Sequence, residues 1–240
     1  RLALFNAIDI GANVGDSAAL MCKYQSIPVL CIEGCDVFLP YLQKNASIIG
    51  NHIKVAEYFV GAQSTNVDCA LVDVQRGTAS IAQKYLPAKQ DTLIEQKAAV
   101  KTLDDILREH ESFRNAALIK IDTDGYDFLI ILHALDCFKK CLPVLFFEYD
   151  TSYEKNNADG ALAAIDALWH IGYRHFLIYD NFGNFLIALR DKDSFDDLNV
   201  YLATNRKSKN IIYYFDVCAF CDDKIDIFKE IKNYEKSYSL

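Results

Sequence analysis

No uninterrupted apolar stretch in this 240-residue chain reaches the roughly 20 residues that a membrane-spanning helix requires. No charged-then-apolar leader opens it either, so a soluble, cytoplasmic protein is expected. Arg1 stands where an initiator Met would, which suggests a domain cut from something longer. Basic charge is also in short supply: 25 Lys and Arg face 33 Asp and Glu, for a net charge of −8. The long-range field repels a phosphate backbone or an anionic surface, so no nucleic-acid partner is expected. Two phosphate cradles are missing as well. No G-x-x-x-x-G-K-S/T occurs, and the opening glycine turn has Asn13 and Asp16 where G-x-G-x-x-G wants its second and third glycines. A nicotinamide oxidoreductase is disfavoured for that reason. Internal repeats, low-complexity tracts and linkers are absent too. With 52% hydrophobic residues, the chain reads as a single domain over 1–240, with 191–240 as a C-terminal extension packed on it.

What is there begins with Phe5–Ser17, FNAIDIGANVGDS. Ala7, Ile8 and Ile10 read as a buried parallel strand, and Gly11 and Gly15 as a turn where a ligand approaches backbone. Asp16 is placed as the cap of a helix over Ser17–Gln25. Pro28–Ile32 is the second strand, ending in Glu33, and a helix starts near Leu39, where Pro40 fits the first turn. A third strand, Ile53–Val60, closes on Gly61. Asp68–Ile81 alternates on both sides of Arg76-Gly77, as a hairpin does, and Gln83–Gln96 reads as an exposed connection or mobile cover. Thr102 caps a helix over Leu103–Glu111. Ala117–Ile121 is a fourth strand leading to Asp122-Thr123-Asp124-Gly125, then comes an apolar helix over Phe128–Leu135. Pro143–Phe147 is a fifth strand leading to Glu148-Tyr149-Asp150. A helix over Ala161–Ile171 follows. His175–Tyr179 and Phe185–Leu189 form an antiparallel edge hairpin about the turn Asn181–Asn184. The tail carries a helix near Phe195–Thr204, an apolar stretch Ile211–Phe220 and an amphipathic helix Asp222–Glu235.

Acids gather where the parallel strands end, which is where open α/β sheets bind ligands. Asp9 there suits a cationic or amino group and Glu33 a ribose, so charge matching points to S-adenosylmethionine. Both acids could equally serve as caps for the helices that follow. The eight cysteines are expected as free thiols, with a four-thiolate zinc site from Cys137, Cys141, Cys218 and Cys221 as the alternative.

The chain resembles the FkbM family of methyltransferases. The likeness rests on AIDIGANVGDS at 7–17, VLCIEGCDVFLPYLQKN at 29–45, VKTLDDIL at 100–107 and LIKIDTDGYDFLIIL at 118–132, with FFEYD, IGY and DNFGN further on. The resemblance implies an α/β, Rossmann-like class I methyltransferase fold, with helices on both faces of a mostly parallel seven-stranded sheet whose last strand is antiparallel. It implies S-adenosylmethionine as methyl donor and O-methylation of a hydroxyl on a carbohydrate, glycan or secondary metabolite. Asp9, Gly11, Asn13 and Gly15 match the methionine-end loop, Glu33 the ribose acid, Gly61 the turn after the third strand, and Asp122 with Gly125 the loop facing donor and acceptor. Asp124 stands where the family usually has Glu, and Gly61-Ala62 where it has Gly-Asp.

An alcohol is a weak nucleophile, so a positioned base is needed, and Asp122 and Asp124 are the candidates. His133 reads as a packed histidine. Asp122, Asp124, Glu148 and Asp150 could alternatively hold a divalent cation, though no metal is assigned. Tyr126, Tyr149 and Tyr153 are candidates to line a sugar site. The competing functional class is a non-catalytic methyltransferase-like module of a larger assembly, with Ile211–Leu240 docking a partner. The acceptor's identity and the oligomeric state are not written in the sequence.

Overall fold

The computed structural model describes residues 5–75, 78–81, 93–153, 157–208 and 211–238. The expected turn at Arg76-Gly77 and most of the expected connection over 83–96 lie outside the described residues. The chain forms two compact units, Arg1–Tyr126 and Asp127–Leu240.

In chain order the first unit holds β1 (Ala7–Ile10), α1 (Asp16–Met21), β2 (Val29–Ile32), α2 (Leu39–Ile49), β3 (Ile53–Ala56), β4 (Phe59–Val60), β5 (Thr65–Gln75), β6 (Thr78–Ile81), β7 (Leu93–Lys101), α3 (Leu103–Glu109) and β8 (Leu118–Ile121). Its main strands run β8-β1-β2-β3, all parallel. β1 and β2 are fully buried four-residue strands, apolar except for Asp9, as a strand covered on both faces must largely be. Leu39, Leu42 and Ala46 of α2 pack with Ala7, Val29 and Cys31 in one core cluster. The order reverses at β1, whose neighbours are β2 on one side and β8 on the other. A crevice outside the strand ends is expected at that point.

The third strand is shorter than expected. It stops at Ala56, and after Tyr58 the chain enters a second sheet of order β4-β7-β5-β6. The expected hairpin is there as the antiparallel pair β5 and β6, and the last residues of the expected connection, Leu93–Gln96, begin β7. α3 is capped as read: the Thr102 hydroxyl accepts from the Asp105 N–H at 3.2 Å.

The second unit holds α4 (Asp127–His133), α5 (Leu135–Cys141), β9 (Val144–Tyr149), α6 (Ala158–His170), β10 (Tyr173–Asp180), β11 (Phe185–Leu189), α7 (Ser194–Ser208), β12 (Phe215–Cys221) and α8 (Ile225–Tyr238). Its strands run β9-β12-β10-β11, every pair antiparallel. The edge hairpin is β10 and β11, turned by Asp180, whose carboxylate accepts from the Phe182 and Asn184 amides. The tail differs from expectation. Residues 191–240 are not an appendage to this sheet, because β12 is an interior strand between β9 and β10, and Phe228 of α8 is buried against Phe220 and His175. β12, paired on both sides, has no free edge for strand addition.

The fold is therefore α/β and Rossmann-like, with the parallel set β8-β1-β2-β3 in the first unit and the antiparallel set β9-β12-β10-β11 in the second. Among the described residues these two sets total eight strands where seven were expected, and the one the sequence offered only as an apolar stretch is β12. Among the described residues no helix is long and apolar enough to cross a membrane.

Candidate active site

Gly11 follows β1 with φ 76°, and a Cβ built on it would lie 1.8 Å from the Asp122 carbonyl oxygen. The missing side chain is thus what lets the loops after β1 and β8 touch, in addition to any room it leaves for a ligand. Gly11 and Ala12 both donate their N–H to the Ile32 carbonyl, and Asp122 donates its N–H to that of Ile10. Three strand ends are thereby locked together. Asn13 follows in a left-handed conformation with φ 49°, one of three non-glycine residues so placed among the described residues. Gly15, with φ 86°, is the N-cap of α1, so Asp16 is the helix's first residue rather than its cap. The Asp16 carboxylate accepts from the Ser17 N–H at 2.9 Å. An acid at that turn disfavours a pyrophosphate, as the sequence suggested.

Glu33 ends β2 and holds both neighbouring loops. Its Oε2 accepts the Asn13 N–H at 2.9 Å and its Oε1 the Cys35 N–H at 2.8 Å. Burial pushes its carboxyl above the usual range, and the amides of Cys35, Asn13 and Gly34 pull the other way. A carboxylate has about four acceptor sites, so these three amides leave room for a ligand hydroxyl.

Asp9 is completely buried, and among the described residues neither of its oxygens has a hydrogen bond closer than the 3.4 Å approach of Lys120. Its charge is answered by Lys120 of β8, the residue paired with it in register, whose Nζ lies 3.4 Å from Asp9 Oδ1 and 3.0 Å from Asp122 Oδ2. An attraction of about 4 kcal/mol at such a distance, for an effective dielectric near 20, does not match the several kcal/mol that dehydrating each ion costs. Burial accordingly wins and Asp9 is pushed up to about 6 despite Lys120. Burial alone would lower the Lys120 ammonium, but Asp9 and Asp122 hold it above the ordinary lysine range.

Asp122 is half exposed, and beyond it Asp124 and Gly125 take φ 48° and 102°. Two successive left-handed residues present this loop at the carboxyl end of β8. Gly61 belongs to the second sheet's edge: its N–H donates to the Lys101 carbonyl, and a Cβ there would press on the Val100 side chain at 2.7 Å.

A family profile, that of the methyltransferase FkbM domain, matches residues 9–204. The chain belongs to the FkbM methyltransferase family. Among solved structures it is similar to a methyltransferase FkbM from Methylobacillus flagellatus, at 18% identity and TM-score 0.49 over 72% of this chain and 40% of that one. It is also similar to a precorrin-6y C5,15-methyltransferase from Geobacter metallireducens (10% identity, TM-score 0.42, 91% and 80% covered). A third is the N-methyltransferase NodS from Bradyrhizobium japonicum, solved with S-adenosyl-L-homocysteine (11%, 0.42, 91% and 78%). No curated protein matches the chain.

In this FkbM domain the structure brings Asp9, Gly11, Asn13, Gly15, Glu33 and Asp122 together around the ends of β1, β2 and β8. Gly61 is tied to β7 instead. Several other candidates are structural. Asp150 is buried and held by Arg206, whose guanidinium donates to its Oδ1 at 2.6 Å. Tyr149 is fully buried and donates to Asn199 Oδ1 at 2.9 Å, so it cannot line a sugar site. His133 bonds to its own helix at the Leu129 carbonyl. Among the described residues no three His, Cys, Asp or Glu side chains are grouped to hold a metal ion, neither the four acids nor the four thiols.

Sequence reasoning missed Lys120. The signal was a single charged residue inside the apolar strand LIKI, which a buried position tolerates only with an opposite charge beside it. Gln96 was missed too, a buried amide in β7 with both polar ends engaged on the loop after Glu33.

Proposed function

We propose that this FkbM domain, acting as a single methyltransferase domain over residues 1–240, is an S-adenosylmethionine-dependent O-methyltransferase. Its acceptor is a hydroxyl of a carbohydrate, glycan or secondary metabolite. The observation that carries this reading is the acidic, glycine-lined junction of β1, β2 and β8. Three carboxylates stand there against one ammonium, and one of them, Asp9, is buried with the 3.4 Å approach of Lys120 as its counter-charge. A site of that charge suits a ligand that brings positive charge and neutral hydroxyls rather than phosphate.

S-adenosylmethionine supplies an electrophilic methyl group on a sulfonium. Glu33 is the residue to take a ribose hydroxyl on the acceptor site its amide bonds leave. The loop Gly11–Gly15 and Asp122 line the methionine end, with Asp9 behind them contributing its field. Asp124 or Asp122 would take the proton of an acceptor hydroxyl as its oxygen displaced the sulfur from the methyl carbon. Alignment of acceptor and methyl provides most of the acceleration in such a displacement, and the base contributes about 10²–10⁴-fold.

Titration calorimetry with S-adenosylhomocysteine tests the donor assignment. Saturable binding by the intact chain, weakened in Glu33→Gln, is the expected result. Glu33→Gln is preferable to Glu33→Ala because its amide oxygen still accepts one backbone N–H. An intact chain that binds nothing, or a variant that binds as tightly as the parent, sinks the assignment. Turnover against hydroxylated sugars then separates an enzyme from a binding module.

A further inference from the structure

A buried side chain of the second sheet in the first unit is hydrogen-bonded to the loop that carries Glu33. Gln96 of β7 is buried, its Oε1 accepts the Asp36 N–H at 3.1 Å, and its Nε2 donates to the Gly34 carbonyl at 2.7 Å. A longer approach, 3.3 Å, joins the same Nε2 to the Lys97 carbonyl. The amide therefore straddles Cys35, the residue whose own N–H donates to Glu33. Glu33 in turn takes the Asn13 N–H. A continuous series of hydrogen bonds leads from β7 through residues 33–36 to the glycine loop.

Packing holds the same loop from a second side. Cys35, Phe38 and Val72 form a buried cluster with Val14, Phe59, Val74 and Ile94 around it, so residues of both loops and of β4, β5 and β7 share one apolar contact. A Cβ on Gly34 would lie 2.4 Å from the Phe59 ring and 2.6 Å from its backbone nitrogen, which leaves that segment no room to shift toward β4. A buried amide is costly unless both of its ends are satisfied. Gln96 meets that condition only with the loop in this position.

We infer that Gln96 is a positioning residue for the donor site: by fixing residues 34–36 it sets the direction of the Glu33 carboxylate and of the Asn13 amide that Glu33 holds. The functional half of this inference rests on the donor assignment above, and the positional half rests on the hydrogen bonds alone.

Two variants and two measurements separate the halves. In Gln96→Leu, amide exchange at Asn13, Cys35 and Asp36 is expected to quicken while β1 and β8 keep their protection. S-adenosylhomocysteine affinity is expected to fall on the order of tenfold, the size of one lost hydrogen-bonded contact. Gln96→Glu keeps an acceptor for the Asp36 N–H but sets a carboxylate against the Gly34 carbonyl when ionised. Relative to the parent at each pH, its affinity is expected to be lost at high pH and recovered as the new carboxyl protonates. A purely structural role predicts no such recovery. Unchanged exchange at Cys35 and Asp36, or loss of protection spread equally over β1 and β8, overturns the positional claim. Faster exchange with undiminished affinity overturns the functional one. A parent protein that binds no donor overturns the proposed function, while exchange still decides the positioning.

Discussion

Asp124 occupies a left-handed backbone conformation, φ 48°, that short polar side chains tolerate better than others do. Asn tolerates it as well as Asp, so Asp124→Asn removes the carboxylate while suiting the same backbone conformation. If Asp124 is the base, kcat for methyl transfer drops about 10²–10⁴-fold and donor affinity stays where it was. Steady-state kinetics beside calorimetry checks this, and a parallel loss of donor affinity would assign the carboxylate to the donor instead. At this scale the legible residues were those whose meaning is local. Asp9, Gly11, Asn13 and Gly15 lie within one strand-turn-helix, and Glu33 ends the next strand. Lys120 and Gln96 were not legible because their roles depend on pairings across long separations. Lys120 matters through its register opposite Asp9, and Gln96 reaches a carbonyl 62 positions away. Even Gly11 was only half read. Its turn was visible, but the Asp122 carbonyl that occupies its missing Cβ position comes from a strand more than a hundred residues later.

At the scale of elements, strands announced themselves by apolar runs and turns by their chemistry, so β1, β2, β8 and the β10–β11 hairpin were all anticipated. The place of β12 was not. An apolar stretch does not state which strands it will separate, and the interior position between β9 and β10 is fixed by pairing alone. What leads the chain into that strand is Arg206 of α7. Its guanidinium donates to Asp150 Oδ1, to the Thr151 hydroxyl at 2.9 Å and to the Tyr213 carbonyl at 3.0 Å, joining the end of β9, α7 and the approach to β12. Asp150 is almost completely buried, and without Arg206 it keeps the Ser152 N–H at 2.7 Å but loses its opposite charge. Arg206→Met is therefore expected to cost about 3 kcal/mol or more. Urea unfolding followed by the fluorescence of Trp169, the chain's single tryptophan and a residue of α6 in the same unit, measures it. A shift within a few tenths of a kcal/mol of zero would mean that Asp150 finds water when Arg206 leaves.

The whole molecule carries a net charge of −8, and two of its acids are buried at the ends of parallel strands with their carboxyls pushed upward. Asp9 titrates near 6 in the folded chain against an ordinary value of 3.8, so the folded state holds a proton that the unfolded state releases between those values. Its contribution to stability is fully present below about pH 4 and declines as pH rises to about 6, by on the order of 3 kcal/mol for a shift of this size. Glu33 acts with the same sign. Lys120 works at the other extreme, its raised ammonium protecting the fold until pH climbs above the ordinary lysine range. Self-repulsion among surface acids produces a similar fall in stability with pH, but salt screens it, whereas a buried carboxyl is screened little. Amide exchange of Ile8 and Ile119, corrected for its intrinsic pH dependence, reads the first unit where Asp9 resides. Stability there is expected to drop between pH 4 and 6 in high salt as in low, and Asp9→Asn is expected to flatten that slope. A slope that vanishes in high salt, or one that persists unchanged in Asp9→Asn, would place the titration on the surface and leave the buried Asp9 ionised throughout.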